Sequence, residues 1–116
     1  MIPPPPTQVD AQLLIQIAQW STALGLQEAM PALFDESFDP ETADALIDKP
    51  VRTMLTFGES VGTLVKHDLL SRELVRDWIW VEGMWSRVGP AAIRQREKMG
   101  EPRLYENFEA LATEEE

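Results

Sequence analysis

Apolar side chains recur at three- and four-residue steps along most of this chain, and no stretch alternates apolar with polar residues for long. That period is the helical one, so the spacing predicts an all-α fold with the strand alternatives set aside. Leu13, Leu14, Ile17, Trp20 and Leu24 mark a first helix over about 10–24, with Asp10 as its N-cap. Gly25 interrupts it, and Leu26, Ala29, Met30, Leu33 and Phe34 continue to about residue 34, with Pro31 blurring the end. Asp39-Pro40 carries an N-cap and first-turn signature for a further helix, and Lys49-Pro50 marks the next boundary. Val51, Met54, Leu55, Gly58, Val61, Gly62, Leu64 and Val65 form one stripe. Ser71 opens a long periodic run holding Leu74, Val75, Trp78, Val81, Met84 and Trp85, which predicts a helix kinked, or two abutting, at Gly89-Pro90. Gly100 closes it, and Pro102 starts a last helix with Leu104, Phe108 and Leu111. Segments this short are marginal alone and must pack on one another. The expectation is a small bundle of about five helices: a disordered proline-rich leader over 1–8, one domain over 9–112, and an acidic frayed tail over 113–116.

At 116 residues the chain holds one core and not two. It has no cysteine, which removes disulfides and thiolate chemistry, and its one histidine cannot build a multi-histidine metal site. Twenty acidic residues against ten basic ones give a net charge of −10, which argues against direct nucleic-acid binding. Residues 1–7 have no basic cluster or apolar run of a signal peptide, and Val9 to Leu26 is too polar to span a bilayer. A cytoplasmic protein without a membrane span is expected. Pro3 to Pro6 read as a solvated polyproline II leader, with a ligand for an aromatic groove as the sharper alternative.

Candidate chemistry is sparse. Asp35, Ser37, Asp39 and Glu41 alternate like the start of a calcium loop, but Pro40 stands where that loop needs glycine and Leu46 where it needs the bidentate glutamate. His67 beside Asp68 reads as a histidine at a helix C-terminus, because sequence neighbours on a helix point about 100° apart. No catalytic, cofactor-binding or metal-binding residue is assigned, and no enzymatic activity or cofactor is expected. Gly58 and Gly62, four apart, predict close approach of another helix, since each interior glycine costs about 1 kcal/mol that packing has to offset. Asp77 to Trp85 is apolar on more than one face, so this helix is either central in the bundle or part of an interface, with Trp78, Trp80, Met84 and Trp85 the candidate contact for a second copy or a partner. Between Glu28 and Asp48 lie seven acids and no base, making Asp35, Glu36, Asp39, Glu41, Asp44 and Asp48 a candidate acidic surface.

The C-terminal two-thirds resembles a family of uncharacterised bacterial helical proteins, a domain of unknown function. The likeness is carried by Phe57, Val61-Gly62-Thr63-Leu64-Val65, Leu69-Leu70, Trp85, Pro90, Arg94 or Arg96, and Tyr105-Glu106-Asn107-Phe108-Glu109-Ala110-Leu111, over roughly residues 42–112. The resemblance implies a helical fold and supplies no catalytic residue. Many relatives carry an N-terminal membrane helix, which is not read here. In this frame Gly62, Pro90, Trp85 and Phe108 are helix-packing residues, and Arg94 and Arg96 either hold the final helix through Glu106 or Glu109 or are simply solvated. The function expected is a self-associating, non-catalytic interaction module; the alternative is an acidic nucleic-acid mimic that occupies a basic protein.

Overall fold

Thr7 starts the first helix. Its hydroxyl accepts from the Asp10 amide (3.2 Å) while the Asp10 carboxylate accepts from the Thr7 amide (2.7 Å), a reciprocal capping box. Asp10 is therefore the third helical residue and not the cap, and α1 spans Gln8–Leu24. This is a computed structural model, and it describes residues 4–114. The first three leader residues and Glu115-Glu116 of the acidic tail lie outside that range.

Gly25 adopts φ 94°, where a side chain would be strained, and its amide donates to Ser21 and Thr22. The chain turns there into α2, Leu26–Leu33. Residues 34–48 then form successive turns, so the helix predicted from Asp39-Pro40 is absent; Asp39 accepts from the Glu41 amide two residues on (2.9 Å), which closes a turn instead of feeding a helix. Helix α3, Lys49–Lys66, begins with Pro50 in its first turn and buries Val51, Met54, Leu55, Phe57, Gly58, Val61 and Gly62. It is the central element, packed on by α1, α2, α5 and α6.

Ser71 caps α4, Arg72–Trp78, its hydroxyl accepting from the Leu74 amide (3.2 Å). The long run then breaks at Ile79-Trp80, where Ile79 is extended and the Val81 amide turns back to the Ile79 carbonyl (3.0 Å), and this separates α4 from α5, Val81–Met99. Gly89-Pro90 does not divide α5. A proline removes one backbone donor, but Val88, Gly89, Ala91 and Ala92 around it are all buried, so core packing carries the helix through. Gly100, at φ 66°, ends α5. The chain turns through Pro102 and reaches φ 60° at Tyr105 before α6, Glu106–Thr113, so the last helix starts four residues later than the sequence predicts. Among the described residues there are six helices and no strand, an all-α bundle. No helix is long and apolar enough to cross a membrane.

Candidate functional site: an aromatic ledge beside an acidic loop

Helical spacing groups Trp78, Met84 and Trp85 on one side of the run, and in the folded chain all three lie against the core, flanking the break between α4 and α5. Met84 is buried; Trp78 meets Phe57 edge-on (6.1 Å between ring centroids) and Trp85 meets Phe108 edge-on (5.1 Å). The four candidate interface residues therefore do not share an outward surface. Trp80 alone stays out, 68% exposed. Its ring lies over the first turn of α5, where a Cβ on Gly83 would come within 2.3 Å of it, and it stacks on Phe34 at 6.2 Å. Phe34 is itself 39% exposed. Trp80 and Phe34 form an aromatic ledge at the start of the acidic loop.

That loop is held from both sides. From within, Asp35, Asp39, Asp44 and Asp48 accept from the amides of Ser37 (2.9 Å), Glu41 (2.9 Å), Leu46 (2.8 Å) and Asp44 (2.7 Å). Bonds from the Ser37 hydroxyl first, and then from its amide, hold the Asp35 carboxyl below the usual carboxylate range. From outside, Arg87 donates to the Leu33 carbonyl (2.6 Å) and to those of Asp35 and Phe38, with its guanidinium 5.1 Å from the Phe38 ring centre. Arg94 donates to the Pro40 and Ala43 carbonyls, and Lys98 lies 3.7 Å from Asp44. The spacing that resembles a calcium loop is thus a set of side-chain turns. Among the described residues no three of His, Asp and Glu gather as a metal-binding group.

A second constellation, missed from sequence, surrounds α6. Tyr105 provides no side-chain cap for this helix; Glu59, on α3, does so from 48 residues away. One Glu59 oxygen accepts from the amides of Asn107 and Phe108, both at 3.0 Å, and the other from the Asn107 side-chain amide at 2.9 Å. Burial, with the Glu59 charge beside it, raises the Tyr105 phenol above its ordinary value. At the far end Arg72 donates to the carbonyls of Ala110 and Leu111 (3.0 and 3.2 Å), and Arg76 to Leu111 (2.9 Å). Arg72 also bonds the Glu114 carbonyl and lies 3.8 Å from its carboxylate, which ties the residue after α6 to α4. A carboxylate thus meets the positive pole of α6 and two guanidinium groups its negative pole. Arg96 adds bonds to the Leu104 carbonyl (2.6 Å) and to Glu109 (3.0 Å), while Arg94 is engaged with the loop. A glutamate one turn before Gly62 is the only sequence signal Glu59 offers, and nothing local says what it caps.

Between these poles Gly58 and Gly62 admit α6 against α3. A Cβ on Gly58 would sit 2.3 Å from the Phe108 ring, and one on Gly62 would sit 2.3 Å from the Asn107 carbonyl oxygen. Phe108 is buried, and Pro90 is half-buried within α5. His67 ends α3 as its C-cap, and the following Asp68 has φ 58°. Pro4, Pro5 and Thr7 of the leader line an open groove of about 1190 Å³ that continues along Leu69, Arg72 and Ala110.

Asp10 joins two helix starts, accepting from the Thr7 amide and, with its other oxygen, from the Ser71 amide at 2.8 Å. These bonds, Thr7 first, hold its carboxyl below the ordinary value. A depressed pKa means the native state binds the proton less readily than the unfolded chain. The stabilisation is therefore full above the ordinary aspartate range and is lost as pH falls through the lowered value. Asp10→Asn should weaken the fold at neutral pH and leave it less sensitive to acid than wild type; parallel acid unfolding curves for the two proteins would remove this role.

Six of the seven arginines (Arg52, Arg72, Arg76, Arg87, Arg94 and Arg96) donate to backbone carbonyls, so much of the positive charge serves as internal ties. The profile of a domain of unknown function, DUF4760, matches residues 7–114, which takes in α1 and α2 as well as the region where the resemblance was read. No curated protein and no solved structure matches. The match spans nearly the whole chain, from the Thr7 cap to the Glu114 tether, and the protein belongs to the DUF4760 family.

Proposed function

We propose that this chain is a non-catalytic, self-associating helical interaction module, and that it docks a basic, apolar segment of another protein on the Trp80–Phe34 ledge. The supporting observation is the exposed, stacked indole of Trp80 beside a loop whose aspartates hold their own backbone while Glu36 and Glu41 stay exposed. A large aromatic surface with a polar rim is the usual anatomy of an interface centre, and its indole face also attracts a lysine or arginine. Glu59 and six of the seven arginines are committed to backbone partners.

The test uses a lysine–leucine amphipathic peptide and its glutamate–leucine counterpart, followed through the Trp80 indole N–H resonance. The lysine peptide should shift that resonance, and Trp80→Ala should weaken binding about tenfold or more without changing the circular dichroism spectrum. An unmoved Trp80 signal at saturating peptide would refute docking at the ledge. The second reading, an acidic decoy, draws on the seven acids and no base of Glu28 to Asp48. Salt separates the two, because binding by charge alone weakens steeply with ionic strength and an aromatic contact does not.

A further inference from the structure

Helix α1 is the anomaly of this chain. From Ala11 to Gln27 there is no charged side chain, in a protein where 26% of residues are charged. Its one carboxylate, on Asp10, is occupied by the Thr7 and Ser71 amides. Of seventeen residues α1 fully buries only Ile17, while Val9 and Ile15 are 68% and 56% exposed. One side of it packs on the core through Leu13, Ile17 and Leu24, with Trp20 stacked on Phe57 at 6.2 Å, and the other side stays in solvent.

Along the middle of the exposed side Gln8, Gln12, Ile15, Gln19 and Thr22 follow at alternating steps of four and three, the spacing of a seam between two helices, here with Ile15 as its one apolar residue and polar groups around it. Ala11 and Ala23 beside them are small enough for close approach. We propose that α1 is a homodimerisation helix, pairing antiparallel with α1 of a second copy across a two-fold axis at Ile15.

Charge selects the occupant. Two copies each carrying −10 repel wherever carboxylates face one another, and α1 is the extended surface where they do not. A basic partner would be drawn to the acidic loop instead. An anionic lipid surface repels this chain, and four glutamines, Gln8, Gln12, Gln16 and Gln19, fit acyl chains poorly. Glutamine is its own complement, with donors and an acceptor on one group, so Gln12 of one copy pairs with Gln19 of the other. The antiparallel sense opposes the helix dipoles and sets Ile15 against itself, with Gln8 against Thr22. At 1.5 Å per residue α1 is about 25 Å long, so the contact is smaller than a standard interface and the dimer is weak.

This inference develops the self-association within the module reading and fails separately from the ledge. Sedimentation of the full chain from about 5 µM to about 500 µM should show a reversible monomer–dimer equilibrium, insensitive to salt once charge repulsion is screened. Ile15→Glu should weaken dimerisation at least tenfold while its melting temperature at about 5 µM, where the chain is monomeric, stays that of wild type, and Trp80→Glu should leave dimerisation intact. Because the chain has no cysteine, Ile15→Cys should give a disulfide-linked dimer on oxidation and Gln8→Cys should not, its two thiols lying about 20 Å apart. A monomer at every concentration, a dimer that survives Ile15→Glu, or a dimer lost with Trp80→Glu overturns the proposal. The last of these would move self-association to the ledge and leave the module reading standing.

Discussion

Gly62→Ala is expected to destabilise the protein by about 2–3 kcal/mol, seen as a melting temperature lower by about 10 °C. The sign is what makes the result informative. An added methyl in an unconstrained helix interior stabilises by about 1 kcal/mol, because alanine loses less backbone freedom on folding than glycine. Here the new Cβ would sit 2.3 Å from the Asn107 carbonyl oxygen and 2.6 Å from its carbon, both backbone atoms at the start of α6. Backbone cannot swing aside as a side chain can, so α6 has to retreat from α3, drawing Phe108 out of its place beside Gly58 and Trp85. At Gly58 the obstacle is the Phe108 ring itself, and Gly58→Ala with Phe108→Leu should recover part of the loss where Gly62→Ala with the same change should not. A melting temperature raised by Gly62→Ala would show that α6 does not lie against this face.

Removing the carboxylate of Glu59 should cost about 3 kcal/mol, the largest effect expected of any single polar side chain here. Glu59→Ala leaves the Asn107 and Phe108 amides without their acceptor at the positive pole of α6, and takes the partner from the Asn107 side chain as well. Glu59→Gln keeps one oxygen for the two backbone amides and sets an amide NH₂ against the Asn107 side chain, so it should fall between. Denaturant unfolding gives the energies, and the near-ultraviolet signal of Trp85, which leans on Phe108, reports whether α6 has moved. Wild-type stability in Glu59→Ala, within about 0.5 kcal/mol, would mean that this cap contributes nothing.

The two predictions concern one arrangement. Glu59, Gly58 and Gly62 lie within about one turn of α3, and together they accept the Asn107-Phe108 corner of α6 by charge and by absence of bulk. The arginines of α4 and α5 complete the fastening from the other side. Helix α6 is thereby built into the fold as a structural element.

Much of the helical layout was legible because the signals are local. Three- and four-residue spacing, the glycines at 25 and 100, Lys49-Pro50 and Ser71 act within one or two turns of themselves, and so the all-α class and most helix ends follow from residues next to one another. Local signals misled where tertiary contacts outweigh them. Pro90 stays within a helix because the residues around it are buried, whereas Ile79-Trp80 breaks one although its periodicity is unbroken. Asp39-Pro40 starts no helix because the Asp39 side chain closes a turn and Arg87 and Arg94 take up the carbonyls of that loop. Trp78, Met84 and Trp85 keep the common side that their spacing gives them, and only the fold makes that side the core one. Glu59 was invisible for a further reason: its partners are 48 and 49 residues away, and what a carboxylate caps depends on which helix end the completed fold brings to it. Local spacing and end signals suffice to make this protein a set of helices and to set where most of them begin and end; which faces they bury depends on contacts between residues far apart in the chain, and so on how the helices meet.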